Sequence, residues 1–318
     1  MIVKRMKELV YTPGPFFTKK DILTTGIISV AYLLLSYILI GYKPEQLVLT
    51  GIFNTLYYLS PATRKFILGF SVFIIYWIIY DYMKAFPNYQ FNTVHIESLY
   101  RAEKALFGVY AGGVLVTPNE YWLQHTNTFL DILTGFFYLC WVPVPLLFAG
   151  YLFFKHREQF FYFSLTFLLT NIIGFIVYYC YPAAPPWYVQ EHGFSFHSLT
   201  AGNVAGLERF DDYFGVTVFK SLYEKGSNVF AAMPSLHSSY PLLVLYYGIR
   251  NKLGWVNIVF AFITIGIWFA AVYTSHHYVL DVIAGIVCAF FGIVVFSLIA
   301  RWYKRYTVNN RRKWISLK

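Results

Sequence analysis

Charge is scarce in this sequence. Asp, Glu, Lys and Arg make up 13% of its 318 residues against 58% hydrophobic ones, too little charged surface to keep an ordinary globular domain in water. Cysteine is scarcer still. Cys140, Cys180 and Cys288 are the three present, each within or at the edge of an apolar run, where a free thiol behaves as a small hydrophobe. No disulfide and no metal site is expected. There is no low-complexity tract and no internal repeat, and the composition sets aside disorder and collagen. What is abundant is aromatic: 29 Tyr, 32 Phe and 8 Trp, together 22% of the chain. Tyr and Trp rings suit positions where one end is dry and the other wet, as at a membrane surface. The mean hydropathy of +0.52 agrees.

Apolar runs occupy approximately 22 to 41, 46 to 60, 64 to 80, 129 to 154, 160 to 181, 235 to 250, 254 to 274 and 278 to 301. The expected fold is all-α, a polytopic membrane helix bundle: an N-terminal helical pair in 1–63, a six-span catalytic core in 64–301 and a basic cytoplasmic tail in 302–318. The 46 to 60 run is short and bounded by Pro44 and Pro61, so a re-entrant segment is the alternative there. The first run is of spanning length and follows a charged start, which reads as a retained anchor and not a cleaved signal.

With eight crossings, one side receives 18 of the 25 Lys and Arg, although the other side owns both long loops. Cationic loops stay in the cytoplasm, so both termini are expected there. The net charge of +10 then reports orientation and contact with anionic lipid, not a nucleic-acid partner.

Two outer segments, 81–128 and 182–234, flank the core. In the first, Ile96, Leu99, Tyr100, Leu106 and Phe107 recur at helical spacing and predict an interfacial helix. The second opens with Tyr181-Pro182-Ala183-Ala184-Pro185-Pro186-Trp187-Tyr188, whose prolines end the preceding helix and predict an extended turn.

Ionisable groups at the mouths of spans are expensive and raise the question of function first. His237, His277 and Asp281 stand out. His277 and Asp281 are four apart, so a helix starting there would place them on one face, with Asp281 holding one ring nitrogen and leaving the other free. His237 opens another span, and the topology puts both histidines at the same outer surface. His276, five from Asp281, is expected to turn away. His95, His125, His156, His192 and His197 read as polar residues reaching water.

Met233-Pro234-Ser235-Leu236-His237-Ser238 and His277-Tyr278-Val279-Leu280-Asp281 resemble the P-S-x-H and H-x-x-x-D segments of the type 2 phosphatidic acid phosphatase superfamily, in the same order and two spans apart. With Ala-Pro-Pro-Trp-Tyr at 184–188 and the His276-His277 pair, the chain is most similar to the inositol phosphorylceramide synthase branch. The resemblance covers roughly the last half of the chain. It implies that His277 attacks phosphorus, Asp281 orients and charges it, and His237 protonates the departing alkoxide, with no metal or organic cofactor. Imidazole chemistry allows both histidine roles near neutral pH.

Where classical members place phosphate-binding cations, this chain has Tyr181 to Trp187 and Ala271. A phosphomonoester carries nearly two charges and a diester one, so the loss favours a diester donor. Ser235, Ser238, backbone N–H groups, Arg209, Lys220 or Lys225 are the candidates to replace those cations. The expected reaction moves a phospho-head group from a phospholipid donor to a lipid-alcohol acceptor, with Pro185, Pro186, Trp187 and Tyr188 forming a dry substrate wall with Trp122. A lipid phosphate phosphatase is the alternative enzyme. A transporter relaying protons is the alternative of another class, disfavoured because the candidate groups gather at one surface.

Overall fold

The computed structural model describes residues 17–224 and 228–315; Lys4, Arg5, Lys7, Lys225 and Lys318, counted in the charge tally, lie outside the described residues. The chain is an all-α, multi-pass integral membrane protein. Six segments are long and apolar enough to cross a bilayer: Lys19–Ile40, Pro61–Ala85, Thr128–Lys155, Arg157–Cys180, Val256–Tyr273 and Val279–Thr307. Two compact units divide the chain, one comprising the residues up to Phe86 with Leu152–Phe161, the other Pro87–Tyr151 with the residues from Tyr162 onward.

The first unit holds α1 (Lys19–Ile40), α2 (Pro44–Leu59) and α3 (Pro61–Tyr82). Local chemistry fixes their ends. Thr18 and Asp21 form a reciprocal capping box on α1, Pro44 starts α2, and Ser60 caps α3 with Pro61 in its first turn. The short 46 to 60 run is therefore a helix. Its neighbours pair through polar groups, with Thr25 and Tyr58 hydroxyls at 2.5 Å and Ser36 and Tyr82 at 2.8 Å. α1 buries only Thr25 and Ser36 and turns its aliphatic side chains outward. That is the arrangement expected where the surrounding solvent is lipid and helices associate through small and polar side chains.

The second unit contains α4 (Glu97–Phe107), a hairpin of β1 (Val109–Ala111) and β2 (Val114–Val116), α5 (Pro118–Gln124), α6 (Thr128–Leu139), α9 (Pro186–His192), α10 (Glu208–Phe214), α11 (Val218–Glu224), α12 (Leu236–Arg250), α13 (Val256–Tyr273) and α14 (Val279–Ile315). Parts of α7 (Pro143–Lys155) and α8 (Arg157–Cys180) also belong to it. α4 is a helix where the apolar spacing from Ile96 to Phe107 predicted one. Two expectations need correction. The run from 129 to 154 is not one helix: it breaks at Cys140–Val142, ahead of Pro143 and Pro145, because the residue before a proline is pushed out of helical conformation. The proline segment at 182–188 is extended only as far as Pro185; Pro186 then opens α9, since a proline in the first turn forfeits no hydrogen bond.

α12 packs against both α13 and α14. Nine of its fifteen residues are buried, including Ser238, Ser239 and Tyr240. Its polar groups are paired through the interior: Tyr240 donates to Asn171 at 2.6 Å, and the Thr166 and Tyr247 hydroxyls meet at 2.7 Å. Buried polar groups without partners are costly, so these pairings specify how the helices register.

Candidate active site

Two short segments build the site. The first, residues 230–239, lies against an extended strip made by Pro182–Ala184. Ala183 donates to the Phe230 carbonyl and Ala232 donates to the Ala183 carbonyl, while on the strip's other edge His95 donates to the Pro182 carbonyl and Ala184 donates to the His95 carbonyl. Asn88, fully buried, donates from its amide to both the Tyr178 and Phe230 carbonyls at 2.8 Å. The chain then enters α12 beside α14. Ser235 N–H donates to the Asp281 carbonyl at 2.9 Å, and Ser239 Oγ donates to the Gly285 carbonyl at 2.7 Å. A Cβ at position 285 would run into the Ser235 carbonyl, so this approach requires glycine.

The second segment, residues 271–281, links α13 to α14. It turns sharply at Ser275, whose φ of 59° lies in the left-handed region that a serine adopts at a cost of about 1 kcal/mol. Contacts offset that cost: Ser275 O accepts from Trp187 N–H at 3.0 Å, and its hydroxyl accepts from Gln190 at 3.1 Å. Both His276 N–H and His277 N–H then turn back to the Ala271 carbonyl. Asn119, also fully buried, donates to the carbonyls of Val272 and His277 at 2.8 and 2.9 Å and so ties the two ends of the turn together.

These two segments bring His237 and His277 into contact. His277 Nδ1 lies 3.0 Å from the Ala232 carbonyl, which can only accept, so that nitrogen carries the proton and Nε2 presents a lone pair. His237 Nδ1 stands 3.1 Å from that Nε2 and is the donor between them. Burial pulls His277 down to about 4 despite the bond to Ala232, so the ring is neutral at pH 7 with Nε2 unprotonated. His237 is walled by aromatics, its ring centroid 4.5 Å from that of Trp141 and 5.4 Å from that of Tyr138. Tyr138 comes from the last turn of α6 and Trp141 from the break that follows it, where Pro143 and Pro145 were the available signal in the sequence.

Asp281 takes a position different from the one its spacing suggested. His277 precedes the helix and is not part of its first turn, so the ring bonds to Ala232 while Asp281 Oδ2 stays 3.7 Å from Nδ1. Asp281 Oδ2 instead accepts the Tyr278 N–H at 2.8 Å. The carboxylate is wholly buried, and its Oδ1 has no hydrogen-bond partner among the described residues. It is poised to attract the ring once the ring becomes cationic. His276 does turn away from Asp281: its Nδ1 meets Thr274 Oγ1 at 3.0 Å, its ring packs on Tyr138 and Tyr223, and burial lowers its pKa well below the ordinary imidazole value.

The remaining candidates divide. Ser235 and Ser238 are buried beside the histidines, with Ser238 Oγ donating to Ser235 Oγ at 3.1 Å. Trp187 and Tyr188 sit in a core cluster with Ile96, Ala184 and Phe230, and Pro185 and Pro186 are buried next to them. Trp187 is thus an interior residue that grips Ser275, not a lipid-facing anchor. Arg209 ion-pairs with Asp131 at 2.6 Å and lies over Tyr273, while Lys220 is exposed. Glu103 was missed. Ile96, Leu99, Tyr100 and Phe107 mark a helical face whose period also includes position 103, and a charge in that apolar stripe was the available signal.

The profile of the PAP2 superfamily matches residues 98–295, which include both histidines, Asp281 and Glu103. The chain belongs to the PAP2 superfamily. Among its relatives is a protein named phosphoinositol dihydroceramide synthase from Bacteroides thetaiotaomicron, 46% identical over 282 residues that span 88% of this chain and 92% of that protein. The inositol phosphorylceramide synthase of Candida albicans is 28% identical over 76% of this chain and 49% of its own length. The catalytic subunit of inositol phosphorylceramide synthase from Saccharomyces cerevisiae is 26% identical over 79% and 59%. No solved structure matches the chain. This PAP2 member aligns with each of these relatives over at least 76% of its length.

Proposed function

We propose that this chain is a membrane lipid phosphotransferase that moves phosphoinositol from a phospholipid to a ceramide-like lipid alcohol through a phosphohistidine. The observation that carries the chemistry is the 3.1 Å contact between His237 and the unprotonated Nε2 of His277. The names of the relatives support the substrate class.

In this mechanism the donor's phosphodiester enters between the two rings. His277 Nε2 forms a bond to phosphorus as the bond to the diacylglycerol oxygen breaks, and His237 gives that oxygen its proton. The diester's negative charge is the counter-ion that a protonated His237 requires in so dry a setting. The phosphorylated ring keeps its Nδ1 proton on Ala232 and becomes cationic, and the Asp281 carboxylate 3.7 Å away balances it. In the second half His237 takes the proton of the acceptor hydroxyl, whose oxygen bonds to phosphorus as the P–N bond breaks. Ser235, Ser238 and the N–H groups at the start of α12 are the donors nearest to the transferring phosphoryl group.

The catalytic part lies within 64–301, where α12 serves as a short crossing. Its fifteen residues rise about 22 Å, and the extended chain before it completes the depth. The cation asymmetry supports a reading with the termini in the cytoplasm and the site on the outer side. A cysteine at Gly202, in the segment between α9 and α10, is expected to react with an impermeant thiol reagent added outside intact cells; reaction only after permeabilisation overturns this orientation. The reaction itself is tested by mass spectrometry of lipids after incubating purified protein with phosphatidylinositol and ceramide. Inositol phosphorylceramide and diacylglycerol in equal amounts are expected; free inositol phosphate in place of the transferred product identifies a phosphatase.

A further inference from the structure

We infer that Glu103 is a positioning residue for the His277–Asp281 pair, acting through the backbone that joins them. Glu103 sits on α4, wholly buried, and its two carboxylate oxygens accept from consecutive backbone N–H groups of α14, Oε1 from Val279 and Oε2 from Leu280, each at 3.0 Å. The contact crosses 176 residues of sequence. Asp281 accepts the preceding N–H, that of Tyr278. The three peptide N–H groups between the nucleophile and its carboxylate are thus all taken by two carboxylates.

The end of a helix leaves its first N–H groups without intrahelical partners and favours negative charge there, which is why two buried carboxylates are tolerated so close together. The consequence is geometric. The 3.7 Å separation of Asp281 from the His277 ring is set by Tyr278, Val279 and Leu280; from α4, Leu99 and Tyr100 pack in the apolar cluster that holds Tyr278 and Leu280, and Glu103 supplies the hydrogen bonds to that turn's backbone. Two hydrogen bonds to a bidentate charged group fix both position and rotation of the helix start, as a single bond does not. Asp281 is held ready for a cationic ring, and a small rotation of this turn separates the charges at the moment the phosphohistidine forms.

Burial and the nearby Asp281 raise Glu103 to about 7, opposed by the two backbone bonds. The groups facing it are Asp281 and Tyr278 from the start of α14, with Tyr100 on its own helix and Glu120 of α5 beside Tyr278. Protonation converts one acceptor oxygen into a donor and releases one backbone bond. Activity is therefore expected to be full above about pH 7 and to decline as pH falls through it, well above the value of about 4 at which His277 itself takes a proton.

The inference rests on the proposed phosphohistidine chemistry, and the test separates the two. Glu103→Gln keeps the size of the side chain but turns one acceptor into a donor. Purified Glu103→Gln, Glu103→Asp and wild type are compared for transfer from phosphatidylinositol to ceramide and for hydrolysis of the same donor, from pH 5 to 9. Glu103→Gln is expected to lower kcat 10- to 100-fold with KM within about twofold, to remove the decline near pH 7, and to be partly rescued by Glu103→Asp, which restores the charge. Unchanged kcat, or a slower variant that keeps the wild-type decline, overturns the inference. Should Glu103→Gln not accumulate as folded protein, Glu103→Asp decides: a lowered kcat with KM held and a displaced low-pH decline supports the inference, and a wild-type kcat and pH profile overturns it. Hydrolysis without transfer in the wild type refutes the transferase reading alone, because Glu103 is then judged on hydrolysis.

Discussion

Residues 230–239, which carry His237, are tied to the Pro182–Ala184 strip and to α14 by backbone bonds and small side chains, with Asn88, Tyr178 and Trp268 each donating to one of their carbonyls, whereas residues 271–281, which carry His277, take paired bonds from the side chains of Asn119 and Glu103. Ser235 and Ser239 bond directly to the α14 backbone across the gap that Gly285 leaves open. Asn119 and Glu103, by contrast, reach in with side chains from the first outer segment, and the second contributes the Gln190 side chain and the Trp187 backbone N–H, both to Ser275. The difference follows from backbone state. A segment running straight into a helix has few free groups, while a turn of irregular backbone has many, and in a dry interior each needs a partner. Of the two segments, the nucleophile therefore stands on the one with more side-chain support from outside.

Breaking the chemistry itself gives the largest effect. His277→Ala is expected to reduce turnover by at least about a thousandfold and to leave no phosphoenzyme, since it removes the bond-forming nitrogen. His237→Ala is expected to cost about a hundredfold or more in kcat by removing the proton source. Single-turnover measurement separates them: release of diacylglycerol slows in His237→Ala but a phosphoenzyme still accumulates. A folded His277→Ala protein with normal turnover refutes the assignment.

The supports come next. Asn119→Leu leaves the His277 carbonyl buried without its donor, at about 1–3 kcal/mol, and the Val272 carbonyl still with the Ser275 N–H, and is expected to lower both the thermal midpoint in detergent and kcat. Gly285→Ala pushes the Ser235 carbonyl off α14, an overpacking of about 1–3 kcal/mol, and displaces the two histidine segments relative to each other. If the His277 segment depends on outside support as argued, Asn119→Leu destabilises at least as much as Gly285→Ala; the reverse order blunts the comparison. The smallest expected change is in partition. Trp187→Ala opens the packed cluster against Ser275 and should raise hydrolysis relative to transfer by admitting water. Equal loss of both products leaves Trp187 a purely structural support.

Much of the site was legible because its reactive groups lie in short contiguous segments. Pro234, Ser235 and His237 are adjacent in sequence, as are His277 and Asp281, and the intervening hydrophobic spans return both to the same end of the unit. The role of Ala232 was not legible, since a carbonyl is common to every residue and only folding selects one. The Asp281 contact was misjudged because a spacing of four implies a shared face only where the backbone is helical, and here the turn at Ser275 delays the helix until Val279. Tyr138 and Trp141 were hidden in an apolar run in which they looked like any other aromatic residues.

Composition and hydrophobic period determined, without any coordinates, that the chain is a multi-pass helical membrane protein, because a bilayer admits only long apolar segments that satisfy their own backbone. Local motifs determined which residues hold the chemistry. The tertiary structure alone decided the rest: which nitrogen of His277 is free, how far Asp281 stands from it, and that Asn88, Glu103 and Asn119 bind the site's backbone. Those facts depend on partners separated by up to 177 residues, and hydrogen bonds over such distances leave no periodic trace in a sequence.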